Sequence, residues 1–406
     1  MPRPSRPAAL PALLALLLSG AALAGPAGSA SAAATAGKAA APLALRVQGN
    51  RLVDGAGQVV QLRGANISGL ETVAAQGWNP ANPWGSEAPD FASLRAWGAN
   101  VVRLPLNEAS WLGYVCTDGA GKARNPDPGH NYRDTVRRAV TDAGRAGLYV
   151  ILDLHWTAPG HACPLAQAPM ADADNSALFW TQVAGEFKSR PGVLFELFNE
   201  PFMDWMAFGQ SPWKVLREGG TQKQYTAATQ GHWQVELSWQ STGMQQLLDA
   251  VRATGATNVV LVAGLGWSRD LSGWLAARPR DPLQQLGAVW HAYPKSMQPG
   301  TADAAIPLHG ALDYQQMEDI LRAGFPVLIT ETGDHDAPGS RGAPFLSQLL
   351  PWADRVGASY LGWTYNAWQN PDYVLLKDAR GTPSDGYGEY FKAHLSCLQA
   401  GTTPCP

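Results

Sequence analysis

The feature that most constrains this chain is a regular alternation from about residue 57 onward, in which short apolar, β-branched runs are separated by longer segments of helical periodicity. Such alternation builds βα units around a parallel sheet. Strands are predicted over residues 59–68, 100–106, 148–156, 193–200, 258–265, 288–293, 327–331 and 359–365. Helices are predicted over 132–146, 177–189, 237–254, 312–323 and 345–356. Eight such units fit a single eight-stranded parallel β/α barrel, an α/β fold, better than an open doubly wound sheet.

Five glycines give the barrel its polarity. Gly98, Gly147, Gly255, Gly324 and Gly357 each stand where a helix should end in a left-handed cap just before the next strand, so the helix-to-strand turns are tight. The segments that follow the strands are long instead, over 69–90, 107–131, 157–176, 202–236 and 294–311. Barrels of this kind keep their chemistry in the loops at the carboxyl ends of the strands, so that face is where a site is expected. Neither a P-loop nor a dinucleotide fingerprint occurs, and no nucleotide cofactor is indicated.

The 30 Lys and Arg against 33 Asp and Glu give a net charge of -3 with no basic run, which argues against nucleic acid as a partner. Arg3 and Arg6, the apolar run from Ala8 to Ala24 and its small-residue end read as a signal peptide over 1–24. A membrane anchor is the less favoured reading, because Pro11 and Gly20 break the run and no charged flank follows it. Residues 25–42 are a small-residue linker, and 43–406 are assigned to the barrel. The mature chain is therefore expected to be secreted, extracellular or periplasmic, and monomeric. In an oxidising compartment the four cysteines should form disulfides, with Cys116 paired to Cys163 in the loops after neighbouring strands and Cys397 to Cys405 in the tail. None of them has the spacing of a zinc site.

The last residues of the predicted strands are Arg103, His155, Asn199 with Glu200, His291 with Tyr293, Glu331 and Trp363. Charged groups and imidazoles inside apolar strands are costly to bury unless they are paired or used. Two carboxylates at a barrel mouth with aromatic walls suit glycoside hydrolysis, where one acid protonates the leaving oxygen and the other attacks or activates water.

The segment Val193 to Pro201, closing in Asn199-Glu200-Pro201, resembles the signature of glycoside hydrolase family five, the cellulase-like retaining hydrolases. The likeness extends to Arg103 in Arg-Leu-Pro-Leu, His155 in Leu-Asp-Leu-His-Trp, His291 and Tyr293 in Trp-His-Ala-Tyr-Pro, Glu331, and Trp363 in Leu-Gly-Trp-Thr, over roughly residues 43 to 396. The resemblance implies Glu200 as acid/base and Glu331 as nucleophile, with carboxyl groups about 5 to 5.5 Å apart. It implies that Arg103 and Tyr293 favour the ionised form of Glu331 and that Asn199 holds the sugar's 2-hydroxyl. His155 and His291 would line the subsite, with His291 near Glu200, and Trp363 would form the floor. The implied substrate is an oligo- or polysaccharide, β-1,4-glucan first, with β-mannan, xyloglucan or end-trimming of short glycosides as alternatives and a non-catalytic sugar-binding barrel as a remote one. Neither metal nor organic cofactor is implied, and His155 and His291 lie three strands apart with no second His beside either.

The other acids have blander readings. Glu196 is expected deeper in the barrel as an ion-paired carboxylate, Asp153 as an internal hydrogen-bond partner, and Glu108 as structural, and Glu71, in the loop after the first strand, is read as structural with contact to the sugar as the alternative. Thr330 stands before Glu331 where many relatives have Gly, and Asp334-His335-Asp336 follows closely enough to reach the cleft. The chain holds 16 Trp, an unusual number. Of these Trp78, Trp84, Trp156, Trp205, Trp213, Trp267 and Trp368 lie in or beside the long loops, where stacking on sugar and packing of the loop are equally expected.

Overall fold

The computed structural model describes residues 43–77, 79, 84, 89–202, 209–227, 233–294, 311–334, 343–368, 373–402 and 404–406. The leader and linker expected over 1–42, Trp78, Trp205, His335 and Asp336 lie outside the described residues. Eight parallel strands close into a barrel. They are β1 (Arg63–Asn66), β2 (Val101–Asn107), β3 (Tyr149–Trp156), β4 (Val193–Glu196), β5 (Val260–Ala263), β6 (Leu286–Ala292), β7 (Val327–Thr332) and β8 (Ser359–Gly362). They neighbour one another in chain order, and β8 pairs with β1 to close the ring. All but the first residue of β1 and the last of β3 are buried, as expected of strands covered by side chains inside and helices outside.

The cap glycines behave as expected. Gly98, Gly147, Gly255, Gly324 and Gly357 all have positive φ, between 74° and 100°, and each hands a helix to the next strand in a tight turn. Below the barrel, Leu45–Gln48, Arg51–Asp54 and Val59–Val60 form a small antiparallel sheet. It covers the amino ends of the strands, with the amide of Leu45 donating to the Pro191 carbonyl and that of Val47 to the side chain of Gln285. The run 59–68 is therefore two elements, because Val59–Val60 pairs with this sheet and only Arg63–Asn66 enters the barrel.

One predicted helix is corrected. Residues 237–243 are not helical: Trp233–Ser241 is a strand paired with Gly220–Ala227 in an antiparallel hairpin, and the helix begins at Met244. Val235, Leu237 and Trp239 alternate with polar residues at a period of two, and that pattern outweighs the helical reading. The hairpin docks on the loop after β3, where Ala173 and Thr242 donate amide hydrogen bonds to the carbonyls of Gln240 and Ala171.

Both expected disulfides are present, with Cα separations of 4.8 Å for Cys116–Cys163 and 5.6 Å for Cys397–Cys405. Most described tryptophans build the core: Trp111, Trp180, Trp274 and Trp290 are fully buried, Trp84 is nearly so, and Trp213 packs against the core edge. Trp267 and Trp368 stand out as exposed.

Candidate active site

The site grows out of a polar layer inside an otherwise apolar barrel. Asn66, Arg103, Asp153 and Glu196, from four successive strands, are fully buried side by side. Arg103 is the hub. Its guanidinium donates to both oxygens of Glu196 at 2.7 and 3.0 Å, to Asn66 at 2.9 Å, to Asn199 at 2.8 Å and to Glu331 Oε1 at 2.8 Å, and lies 2.9 Å from Asp153. A planar fork of five donors can serve that many acceptors, where a lysine could not. Glu196 is thus the buried ion-paired group expected of it, and Asp153 accepts from His155 Nδ1 at 2.6 Å.

Above this layer the strands open. The β6–β7 register shifts between Trp290 and His291, so that Trp290 faces Ile329 but His291 faces Glu331. Thr330 is the extra residue of this bulge, a device that re-aims side chains near sites. Its hydroxyl is 3.0 Å from His291 Nε2 and donates to Glu196 at 3.3 Å, a role the sequence flagged only as an unusual residue.

Glu200 and Glu331 are brought together. One atom each from Glu200, His291 and Glu331 lie within 4.8 Å of one another. His291 Nδ1 is 2.7 Å from Glu200 Oε1 and 3.6 Å from Glu331 Oε2, so the imidazole bridges the pair. Tyr293 donates its phenol hydrogen to Glu331 Oε2 at 3.0 Å. Gln167, which no sequence pattern marks, donates its amide to Glu200 Oε2 from the loop that follows β3. Trp363 lies half-buried at the end of β8 with its ring stacked parallel to His155, centroids 5.7 Å apart. Asn199 gives its oxygen to Arg103, which leaves its amide hydrogens to face His155 Nε2 at 3.4 Å. All eight residues expected at the site therefore converge on one mouth.

The charge balance departs from the expectation in one respect. Burial pushes the Glu331 carboxyl above the usual range, and the pull of His291 and Arg103 does not bring it back. Contact with Arg103 and Tyr293 is present, yet the net effect is the reverse of the ionising one expected, because the carboxyl is almost wholly cut off from water and faces Glu200. Burial acts on Glu200 in the same sense, but the hydrogen bond and charge of His291, with the amide of Gln167, hold it below the usual range. Burial alone would lower His291, and the surrounding Glu331, Glu196 and Glu200 overcome it, raising the imidazole to about 10. Burial lowers His155, which leaves it a neutral ring oriented by Asp153.

The remaining candidates are bound elsewhere. Glu71 accepts from Ser68 and the Gly69 amide within its own loop, and Glu108 accepts from Ser176 at 2.7 Å and Thr157 at 2.9 Å. Asp334 does not reach the cleft: it is buried and accepts from the amides of Phe345 and Leu346 at the start of the following helix, a capping role for a carboxylate. Trp267 stacks on Phe202, with centroids 5.1 Å apart and rings within 7° of parallel.

A closed eight-stranded β/α barrel with two glutamates facing each other, one just beyond β4 and one near the end of β7, defines a barrel protein of the two-carboxylate glycoside hydrolase type. The model of the cellulase family, glycosyl hydrolase family 5, matches residues 53–371, and the chain belongs to that family. Among curated relatives it is 22% identical over 324 residues to an endoglucanase of Clostridium saccharobutylicum, covering 79% of this chain and 56% of that one. It is 25% identical over 327 residues to endoglucanase 5 of Pectobacterium carotovorum, covering 79% and 50%. The chain thus spans about half the length of the curated relatives it matches. Among solved structures, a β-glucanase from Saccharophagus degradans in complex with cellotetraose shares the fold, with TM-score 0.59, 22% identity, and coverage of 88% of this chain and 94% of that one.

Proposed function

We propose that this protein is a secreted retaining β-glycosidase that hydrolyses β-linked glucan, β-1,4-glucan first, by double displacement, with Glu200 as acid/base and Glu331 as nucleophile. Residues 1–24 are its export signal, 25–42 a linker and 43–406 a single catalytic domain, acting as a monomer without metal or organic cofactor. The observation that supports the reading is that one carboxylate oxygen of Glu200 lies within 4.8 Å of one of Glu331, with His291 Nδ1 2.7 Å from the first residue and 3.6 Å from the second, an approach in keeping with the close carboxyl pair of retaining enzymes, about 5 to 5.5 Å, rather than the roughly 6.5 to 9.5 Å of inverting ones. A water molecule between sugar and carboxylate does not fit the shorter gap.

In the first step Glu331 attacks the anomeric carbon and forms a glycosyl ester, while Glu200 gives its proton to the glycosidic oxygen and the leaving chain departs as an alcohol. The Glu200–His291 hydrogen bond, 2.7 Å long, is the path by which that proton is supplied to Glu200. In the second step Glu200 takes a proton from water, the resulting hydroxide attacks the anomeric carbon, and the bond to Glu331 breaks. Arg103 and Tyr293 hold Glu331 in place through two hydrogen bonds and spread its charge as the ester forms and breaks. The amide of Asn199, held between Arg103 and His155, donates a hydrogen to the sugar 2-hydroxyl, and Trp363 carries the face of the same sugar.

The test is hydrolysis of β-1,4-glucan, β-mannan, xyloglucan and 2,4-dinitrophenyl β-cellobioside by wild type, Glu200→Ala and Glu331→Ala. Wild type should cut one polysaccharide with retained configuration. Glu331→Ala should be inactive on all substrates. Glu200→Ala should lose about 100- to 10,000-fold on polysaccharide but still form the ester from the dinitrophenyl glycoside, whose leaving group needs no proton. Inverted product, or chelator-sensitive activity, would sink the reading, the latter because Glu200, His291 and Glu331 also have the donor types of a divalent-ion site.

A further inference from the structure

Tyr373, in the segment that follows β8, holds a backbone conformation that a bulky residue resists. Its φ is 60°, in the left-handed region that glycine takes readily and an aromatic residue rarely does. Backbone strain of this kind persists only where the surroundings enforce it, and it gathers at working sites. Here the enforcement comes from the end of β8. The Tyr373 carbonyl accepts from the Thr364 amide at 2.7 Å, and the Leu375 amide donates to the Thr364 carbonyl at 2.9 Å, so the returning chain is laced to the residue after Trp363. Val374, Leu375 and Leu376 are buried, and the Ser384 hydroxyl donates to the Val374 carbonyl at 2.6 Å. The backbone at Tyr373 cannot relax without giving up this anchor.

What this conformation delivers is one ring against another. The half-buried Tyr373 meets the ring of Tyr293 edge to face, with centroids 5.4 Å apart and planes at 90°. Both rings also close on the chain just beyond Glu331. A Cβ added at Gly333 would stand 2.7 Å from Tyr373 Cδ1 and 3.2 Å from Tyr293 Cε1, so a glycine there lets the two rings approach. Tyr293 is the residue whose phenol donates to Glu331 Oε2 at 3.0 Å. A phenol oxygen lies on the axis of its ring, so a ring flip leaves that hydrogen bond intact, whereas a swing about Cα–Cβ carries the hydroxyl off the carboxylate. Tyr373 packs against the ring that would have to swing.

We infer that Tyr373 is a positioning residue for the reaction: its ring holds the Tyr293 phenol on Glu331, and the strained backbone at 373 is what puts the ring there. This deepens the hydrolase reading proposed above and rests on it. Tyr373 touches no reacting atom in this role, and its effect on Glu331 passes through Tyr293. Glu331 gives up its charge as the ester forms and regains it as the ester breaks, and a donor fixed in advance serves both steps without reorganising.

The experiment reads kcat/KM on 2,4-dinitrophenyl β-cellobioside, which reports ester formation at Glu331 with a leaving group that needs no proton. Tyr373→Ala and Tyr373→Gly should each lower it about tenfold or more, the scale expected when a group in the site is misplaced, while Tyr373→Phe, which keeps the ring, should recover most of the loss. Tyr373→Gly suits the left-handed backbone and should melt no lower than Tyr373→Ala, which separates a lost contact from a lost fold. Cellobiose should inhibit both variants as well as it inhibits wild type. The limb of the kcat/KM profile that Glu331 sets should move to higher pH in both, because the carboxylate loses a donor to its ionised form. In a Tyr293→Phe background, where the phenol is already gone, neither substitution should cause a comparable further fall. An unchanged kcat/KM, a fall that simply adds to that of Tyr293→Phe, or cellobiose binding weakened in step with kcat/KM overturns the positioning role. Wild type that cuts neither this glycoside nor any β-glucan ends the hydrolase reading and the positioning role together, a result distinct from those three.

Discussion

His291 and Glu331 face each other across the β6–β7 ladder only because Thr330 is an extra residue in β7. Without the bulge the neighbour of His291 would be Thr330, and the carboxylate would sit one step further up the strand. The same Thr330 then uses its hydroxyl on His291 Nε2 and on Glu196, so one residue sets the position of the nucleophile candidate and ties it to the layer below.

Arg103 should be the least replaceable residue of the site for folding. Arg103→Met would leave Glu196, Asp153 and Glu331 buried without their cation, and breaking such a buried cluster typically costs about 3 to 5 kcal/mol. Arg103→Lys should recover only part of this, since one ammonium cannot reproduce a fork that serves Glu196 twice. Guanidinium chloride midpoints for both variants measure it, and a Lys variant as stable as wild type would refute the account.

Stability should depend on pH through His291. Its pKa rises on folding from 6.5 to about 10, so the folded state binds this proton more tightly than the unfolded chain does. The resulting stabilisation is complete below about pH 6.5 and is lost as pH climbs toward 10. Thermal melts from pH 6 to 10 should show a decline that is shallower in His291→Gln than in wild type, and parallel curves would contradict it.

Gln167 should tune Glu200. Its amide hydrogen bond favours the ionised carboxylate, so Gln167→Ala should raise the pKa of Glu200 and move to higher pH the limb of the kcat/KM profile that Glu200 sets. Gln167 sits four residues beyond Cys163, which is bonded to Cys116 in the preceding loop, and Asn107 donates to the Pro164 carbonyl between them. Reducing the Cys116–Cys163 bond should therefore shift the limb in the same direction as the substitution. An unmoved limb in Gln167→Ala would show that the contact carries no weight in turnover.

The barrel was readable in the chain because parallel strands must be apolar throughout and helices must stop, and Gly98, Gly147, Gly255, Gly324 and Gly357 mark each stop. The site was readable for a related reason: Arg103, His155, Glu200, His291 and Glu331 interrupt apolar runs at strand ends, where polar groups need a purpose. What sequence hides is contact made from irregular backbone. Gln167 is one glutamine in a loop without period, and only the folded chain brings it to Glu200. Asp334 looked available to the cleft because it follows Glu331 closely, yet the strand carries it past the mouth to the next helix. The direction of the Glu331 shift depends on how completely water is excluded, which no spacing of residues expresses. In 237–243 the period-two alternation is present in the chain and prevails over the helical pattern, which takes hold only from Met244.

The bulge at Thr330 makes the gap between the two carboxylates a matter of counting rather than of reach. Side chains adjust a distance by fractions of an ångström, whereas one residue more or fewer in β7 turns Glu331 to the other face of the sheet. Substitution at the site can therefore shift the two carboxyl groups by degrees, but their facing arrangement is guarded by the register of the strand.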